Sequence, residues 1–480
     1  MNYLVLFGAG KRCRVICKLL KCLKYTEALV VDNNVDKWDT KIEGYVIHAP
    51  SILLKYAKNK FCITIADEVT ATSVKELLCI VYGLKPENEI RYNFLILELL
   101  KNNSQIKERI LARTDLIHEK KSTLFDCYNG LILGGVEAWT MDICANLLKS
   151  GNDKTYIISD NGKYNVPLDL VGHILYANIN HQERFSLDSI NNIIDVMLSK
   201  LPCHVVTCTT NEIMVAAYLI KNIYPELINI ISVVHNSNDR VYADYIDFRE
   251  CTDLYIGVSM DIGQELVSRG INQEKVLHMT CPVQCSKELV REYSTNPMNP
   301  IRLGYAGRIE ISQKRMDLLL KMIDSLEKKK VNYVLKIAGE GSALQDVCNF
   351  IEERKLNNKI ICLGKIDRSE IPDFWQAIDV CVNIADFEGR SISIMEAMAN
   401  GAVPVVTATS GVREDISDGE NGYIVEIGNY EEMADRIYEL STHRDRLGKF
   451  GQKSYDVILN KAQMSTHIKF WNRVLNNLWD

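Results

Sequence analysis

Two glutamates eight positions apart, Glu388 and Glu396, frame the stretch "DFEGRSISIMEAMANGAVPVV" at residues 386–406. Between them, Gly389, Arg390 and Ser391 sit where an acidic loop turns into a helical pattern. A helix start offers backbone N–H groups without partners and the positive end of the dipole, which suits a phosphate. Glycine lets a ligand approach the backbone closely. Two carboxylates flanking a phosphate-binding turn cannot both want the phosphate. They accept hydrogen bonds from hydroxyls, so the matching ligand carries hydroxyls on both sides of a diphosphate, as a nucleotide sugar does. Taken alone, an exposed loop glutamate and a helix-surface glutamate would explain the pair as well.

The stretch does not stand alone. Arg308 and Lys314 lie in "GYAGRIEISQKRMDLLLKMI", just past an apolar strand pattern. That is the ligand edge of a doubly wound sheet. Two cations there could neutralise a leaving diphosphate, the work a metal does elsewhere. No metal is expected. There is no Asp-x-Asp at a strand end, and the nearest metal-like pair, Cys281 and Cys285 in "CPVQC", has no second pair at ligand spacing. Further along, "IAGEGS" places Gly339 and Gly341 around Glu340, suited to close backbone approach by a base or phosphate.

The elements that position these residues are short β-branched runs alternating with helical patterns: "YLVLFG", "HVVTCT", "YVLKIAG", "DVCVNIA" and others. Continuous apolar strands followed by helices indicate α/β architecture with parallel sheets covered on both faces. The chain of 480 residues is too long for one core. Five segments are expected: a small α/β unit at 1–90, a polar helical connector at 91–121, and an α/β domain at 122–297. A second α/β domain follows at 298–465, then a C-terminal helix at 466–480 with Trp471 and Trp479 docking back on the body. The linker signal is clearest in "REYSTNPMNP".

The motifs "AGRIEISQKRMD", "IAGEGSAL", "IICLGKI", "EIPDFWQAIDVCVNIADFEGRSISIMEAMANGAVPVV" and "GVREDISDGENGYIV" resemble, in order, the C-terminal domain of family 4 retaining glycosyltransferases (group 1) of the GT-B fold. The resemblance implies two Rossmann-like domains. It implies that Arg308 and Lys314 bind a donor diphosphate, Glu388 contacts the donor sugar and Glu396 the ribose. The domain before resembles that family's acceptor half. "NGLILGGVEAWTMDICANLLKSG" matches the glycine loop with Gly134, Gly135 and Glu137, and "ISVVHNS" places His235 where a donor-sugar contact is common. Cys281 stands where asparagine is common before the proline.

Residues 1–90 are extra to such an enzyme. "VLFGAGKRCRVICKLL" then "ALVVDNN" gives strand, Gly8-x-Gly10, helix, strand and Asp32, with Cys13 replacing the third glycine of a dinucleotide fingerprint. The unit resembles small nucleotide-binding domains attached to bacterial polysaccharide-synthesis proteins. It binds a cofactor, binds a sugar nucleotide, or docks without a ligand; the last two are favoured over NAD.

Composition excludes other classes. Net charge is +6 over 1–121, −9 over 122–300 and −3 over 301–480. An acidic middle argues against nucleic acid and against anionic lipid. No apolar run of about 18 residues exists. Fifteen scattered cysteines and no signal-peptide pattern at the start lead to an expectation of reduced thiols in a cytoplasm. The resulting reading is a transferase moving a hexose or N-acetylhexosamine from a nucleotide sugar, UDP-sugar favoured, to a hydroxyl acceptor. The acceptor could be a saccharide or be lipid- or protein-linked, in bacterial surface polysaccharide or glycoconjugate synthesis. No cofactor is required on this reading, and a homo-oligomer is possible. The alternatives are an NAD-linked oxidoreductase or epimerase acting through the first unit, and a non-catalytic sugar-nucleotide sensor. "Tyr56-Ala-Lys-Asn-Lys60" has Tyr-x3-Lys spacing but falls too early for a short-chain dehydrogenase.

Overall fold

The computed structural model describes residues 3–65, 67–112, 121–131, 134–162, 164 and 166–478. The chain divides into two compact units, residues 1–232 with 239–254 and residues 233–238 with 255–480.

The first unit holds two sheets. In the smaller, the strands run in the order Lys41–Ile42, Tyr45–His48, Ala28–Val31, Leu4–Phe7, Phe61–Ile63. All pair parallel except the hairpin formed by the first two. Alternation along Leu4–Phe7 splits its side chains between two cores. Leu4 and Leu6 join one cluster, Val5 and Phe7 the other. The second sheet carries, side by side and parallel, Ile228–Val234, Cys203–Thr207, Ser122–Cys127, Thr155–Ser159 and Ile174–Tyr176.

One hydrophobic cluster runs through both parts of this unit. It includes Leu6, Ile16 and Leu20, then Leu95, Ile96, Leu100, Ile106 and Ile110, then Ile190, Ile193, Ile194 and Phe248. The cause lies in helix Tyr92–Lys101, "YNFLILELLK", which buries Asn93, Leu95, Ile96, Leu97 and Leu100. A helix apolar around most of its circumference must be covered on several sides. Polar pairs fix the same region. Asn93 donates to Asp244 at 2.8 Å, Arg109 to Asp195 at 2.9 Å and Lys18 to Glu183 at 2.6 Å. Of the connector expected at 91–121, residues 113–120 lie outside the described residues.

The second unit is built on a six-stranded parallel sheet ordered Ile360–Gly364, Tyr333–Ala338, Ile301–Ala306, Val380–Asn383, Val403–Thr407, Tyr423–Val425. Counted along the chain this is 3-2-1-4-5-6, the order of a doubly wound sheet. Its ligand crevice opens between the first and fourth strands, where the winding reverses. The segment expected to act as a linker has no regular structure, yet it is tied down. Arg291 donates to Asn400 O at 2.7 Å, Tyr293 to Gly401 O at 2.9 Å and Ser294 N to Asp379 at 3.1 Å. Asp379 is fully buried and also accepts from Arg302. The C-terminal helix Met464–Asn477 buries His467, Ile468, Trp471, Val474 and Leu475. Trp479 lies outside the described residues. Among the described residues no helix is long and apolar enough to cross a membrane.

Candidate functional site

The crevice position of the second unit is bounded by two loops. One leaves strand Ile301–Ala306 and enters helix Met316–Lys328; the other leaves Val380–Asn383 and enters helix Ile392–Ala399. They carry the cations and the first glutamate picked out from sequence, and the structure brings these together. Lys314 Nζ is ion-paired with Glu388 Oε1, both side chains largely buried. Buried Gln313 ties the loops beside that pair. Its Oε1 accepts from Arg308 at 2.6 Å and its Nε2 donates to Phe387 O at 2.9 Å. Its own carbonyl accepts from Asp386 N at 2.9 Å. Arg315 closes the row. It donates to both Asp386 oxygens at 2.9 Å, and to Asp317 at 3.0 and 2.9 Å. Hydrogen bonds from Arg315 hold the Asp317 carboxyl below its ordinary range. The Arg308 side chain is 64% exposed and pairs with Glu310 at 3.0 Å, so it can swing to a ligand.

Gly389 has a packing reason as well as a ligand reason. A Cβ there would collide with the carbonyl of His235. Ser237 Oγ donates to Glu388 O at 2.7 Å. His235 is partly exposed by area but lies deep among protein atoms. Desolvation pushes its imidazole down to about 4, so it is neutral near pH 7. Ser391 caps helix Ile392–Ala399 without a side-chain bond to the first-turn N–H groups. Its Oγ instead meets Asn383 at 3.4 Å. Glu396 is half-buried in that helix. The Arg390 guanidinium is taken up by two carboxylates of the protein itself. It is buried against Asp415 at 3.1 Å and Glu414 at 2.7 Å, leaving only its backbone for a ligand.

Gly339 and Gly341 serve a contact inside the protein. A Cβ on either would run into the carbonyl of Gly307 or Ile309, and Ile309 N donates to Glu340 O at 2.8 Å. The two glycines let the turn after Tyr333–Ala338 lie against the loop bearing Arg308. The Glu340 side chain is exposed.

In the first unit, Gly134 is the N-cap of helix Gly135–Lys149, with Glu137 in the first turn folded over it. Residues Ile132 and Leu133 lie outside the described residues. Sequence reading missed the neighbouring Asp126, the last but one residue of strand Ser122–Cys127. It is buried and accepts from Asn211 and Tyr128 N, both at 2.7 Å. Burial pushes it up to about 7. A lone acid closing the apolar run "STLFDC" is the signal that could have found it.

Gly8, Gly10 and Asp32 come together, but not as a dinucleotide site needs. Asp32 Oδ2 accepts from Ala9 N at 2.6 Å and Lys37 at 3.0 Å, and Oδ1 accepts from Asn34 N at 2.8 Å. Burial alone would raise this carboxyl; the N–H groups of Asn34 and Ala9 and the Lys37 ammonium outweigh it and hold it low. The oxygens a ribose would use are taken. Cys13, in place of the third glycine, is fully buried. The residues therefore do not fit NAD.

Residues 286–457 match the family described as glycosyl transferases group 1. The poly(ribitol-phosphate) alpha-N-acetylglucosaminyltransferase of Staphylococcus aureus is 28% identical over 179 residues, 36% of this chain and 35% of that protein. The chain thus spans about a third of that relative's length. Anabaena HepE, solved with UDP-glucose, superposes with a TM-score of 0.61 at 16% identity, covering 74% of this chain and 99% of that one. A variant of S. aureus TarM, solved with Fondaparinux, alpha-GlcNAc-glycerol and UDP, covers 99% of this chain and 100% of its own at a TM-score of 0.54 and 15% identity. The fold is of the GT-B type.

Proposed function

We propose that this protein is a retaining glycosyltransferase. It takes a hexose or N-acetylhexosamine from a nucleotide sugar, a UDP-sugar, and passes it to a hydroxyl acceptor in bacterial surface polysaccharide or glycoconjugate synthesis. The observation that carries the reading is the Lys314–Glu388 pair at the winding reversal, beside the exposed side chain of Arg308. Each partner satisfies the other only until a ligand offers a diphosphate to the lysine and hydroxyls to the glutamate. The UDP and UDP-glucose in the structures of similar fold support the donor class.

On this reading Lys314 and Arg308 hold the diphosphate and Glu388 orients the sugar. Glu396 takes the ribose, and the backbone around Gly389–Ser391 faces the phosphates. Residues 298–465 form the donor half. Residues 122–297, with Gly134 and Gly135, form the acceptor half. Residues 1–90 with the connector to 121 act as an accessory module, and 466–480 as a docking helix. The protein works in the cytoplasm. The bond from the anomeric carbon to the diphosphate breaks. The acceptor oxygen bonds that carbon on the same face, and its proton passes to a diphosphate oxygen. The two cations stabilise the departing charge. In the sequence, no carboxylate other than Glu388 and Glu396 has a motif-based claim on the sugar, so the reading draws no glycosyl-enzyme intermediate. The Asp32 geometry disfavours the oxidoreductase alternative.

The test is nucleotide release from a panel of donors with and without acceptors, followed by NMR of the first product's anomeric configuration. An α-linked product from an α-linked donor is expected. A β-linked product refutes the mechanism.

A further inference from the structure

Arg315 has a backbone out of keeping with its place. Its φ and ψ are +52° and +51°, in the left-handed region, and it stands immediately before helix Met316–Lys328. Lys24, Lys330 and Lys355 also have positive φ, but each follows a helix. There a left-handed residue is the ordinary way to end the coil. Before a helix the ordinary conformation is extended, with a short polar side chain bonding the first-turn N–H groups. Arg315 makes no such cap. A side-chain-bearing residue persists in this region only where its surroundings over-determine it.

What over-determines it is a clamp. Its guanidinium grips both oxygens of Asp386 on the second loop and both of Asp317 on its own helix. The three consecutive residues of the first loop thus each engage the second. Gln313 bonds Phe387, Lys314 pairs with Glu388 and Arg315 with Asp386. The middle rung is the one the proposed donor must break, since diphosphate and sugar claim its two ends separately. The outer rungs involve no group the donor needs.

From this we infer that Arg315 is a positioning residue for donor binding, an inference that rests on the reading of the site given above. Its left-handed turn places Lys314 at the crevice, and its bonds to Asp386 keep the loops in register once the Lys314–Glu388 pair has been exchanged for ligand. Without the clamp, opening that pair frees the loops to separate, and the donor loses a preformed site.

The experiment uses the full chain and UDP as the probe. Arg315→Gly keeps the left-handed turn without strain and removes the clamp; Asp386→Asn leaves the arginine and weakens the clamp from the other side. Each is expected to weaken UDP binding roughly tenfold, the size of an ordinary coupling between contacting groups, and the double variant no further than either single. Melting temperatures should stay near that of the unaltered protein, which separates positioning from general damage. Should Arg315→Gly fail to fold, Asp386→Asn carries the comparison. UDP affinity within twofold of the unaltered protein in the variants that fold overturns the inference, as does full additivity in the double variant. A second readout needs no nucleotide: acetylation of Lys314 by an amine-reactive ester, followed by mass spectrometry. It should run several-fold faster in both variants, and an unchanged rate overturns the clamp. If the unaltered protein binds neither UDP nor another nucleoside diphosphate, the donor-site reading fails, and the Lys314 acetylation rates alone decide whether the clamp exists.

Discussion

Two turns at the carboxyl ends of parallel strands, one in each unit, carry charged residues beside glycines. At Gly8–Gly10 the carboxylate of Asp32 is answered by Ala9 N, Asn34 N and Lys37. At the winding reversal of the second unit, Lys314 and Glu388 answer each other. The contrast separates a closed turn from an open one. A carboxylate bonded to backbone N–H groups cannot be offered to a ligand without unmaking the turn. An ion pair can be traded, because a ligand bearing an anion and hydroxyls replaces both halves at once. Fold position alone does not make a site; the identity of the partners does.

The largest effect should come from a cation that resembles Lys314 in sequence but behaves like Asp32. Arg390 is buried against Asp415 and Glu414. Replacing it by leucine strands two acids and should destabilise the second unit by about 3–5 kcal/mol in denaturant titration. A stable Arg390→Leu that loses only donor affinity would return this side chain to the ligand and blur the contrast. Next, Lys314→Ala or Arg308→Ala should remove about 2–4 kcal/mol of transition-state stabilisation from kcat/KM, with melting little changed for Arg308. Near-normal turnover in Lys314→Ala would place the diphosphate elsewhere. Glu388→Gln sharpens the same point: it releases Lys314, so UDP should bind at least as tightly while transfer slows. In the closed turn, Asp32→Ala takes the acceptor from the N–H groups of Ala9 and Asn34, which water can reach in part. It should lower stability by about 1 kcal/mol while kcat/KM in the folded variant stays within a few-fold. Tight NAD binding by the unaltered protein would break the comparison outright. The smallest effect expected is none: a chelator should leave turnover unchanged, since two cations hold the leaving group.

Much of this was legible in the sequence because it depends on spacing. Continuous apolar runs such as "LVLF", each followed by a helical pattern, indicate parallel α/β sheets, and the eight-residue interval from Glu388 to Glu396 places one acid in the loop and one in the helix. What was not legible depends on partners far along the chain. Arg390 reads as a phosphate ligand until Glu414 and Asp415, over twenty residues on, are seen to take it. Gly339 and Gly341 read as room for a ligand, whereas a neighbouring loop fills that room. "REYSTNPMNP" reads as loose because prolines and asparagines say only that no helix or strand forms; nothing local shows that Asp379 and Gly401 hold it. Helix Tyr92–Lys101 is the reverse case. "NFLILELL" is apolar on nearly every face, which announces a covered helix rather than a polar connector.

That shared apolar cluster has a consequence for synthesis on the ribosome. Ile96 and Leu100 emerge early, but the cluster they join is completed only by Phe248 and Cys251. The chain from 112 to 251 must be made in between. At 5–20 residues per second this takes roughly seven to thirty seconds. For that interval a greasy helix hangs from the exit tunnel with its later neighbours still untranslated. The protein is thus an expected client of the chaperones that wait at the tunnel mouth, and slower translation would lengthen the time it depends on them.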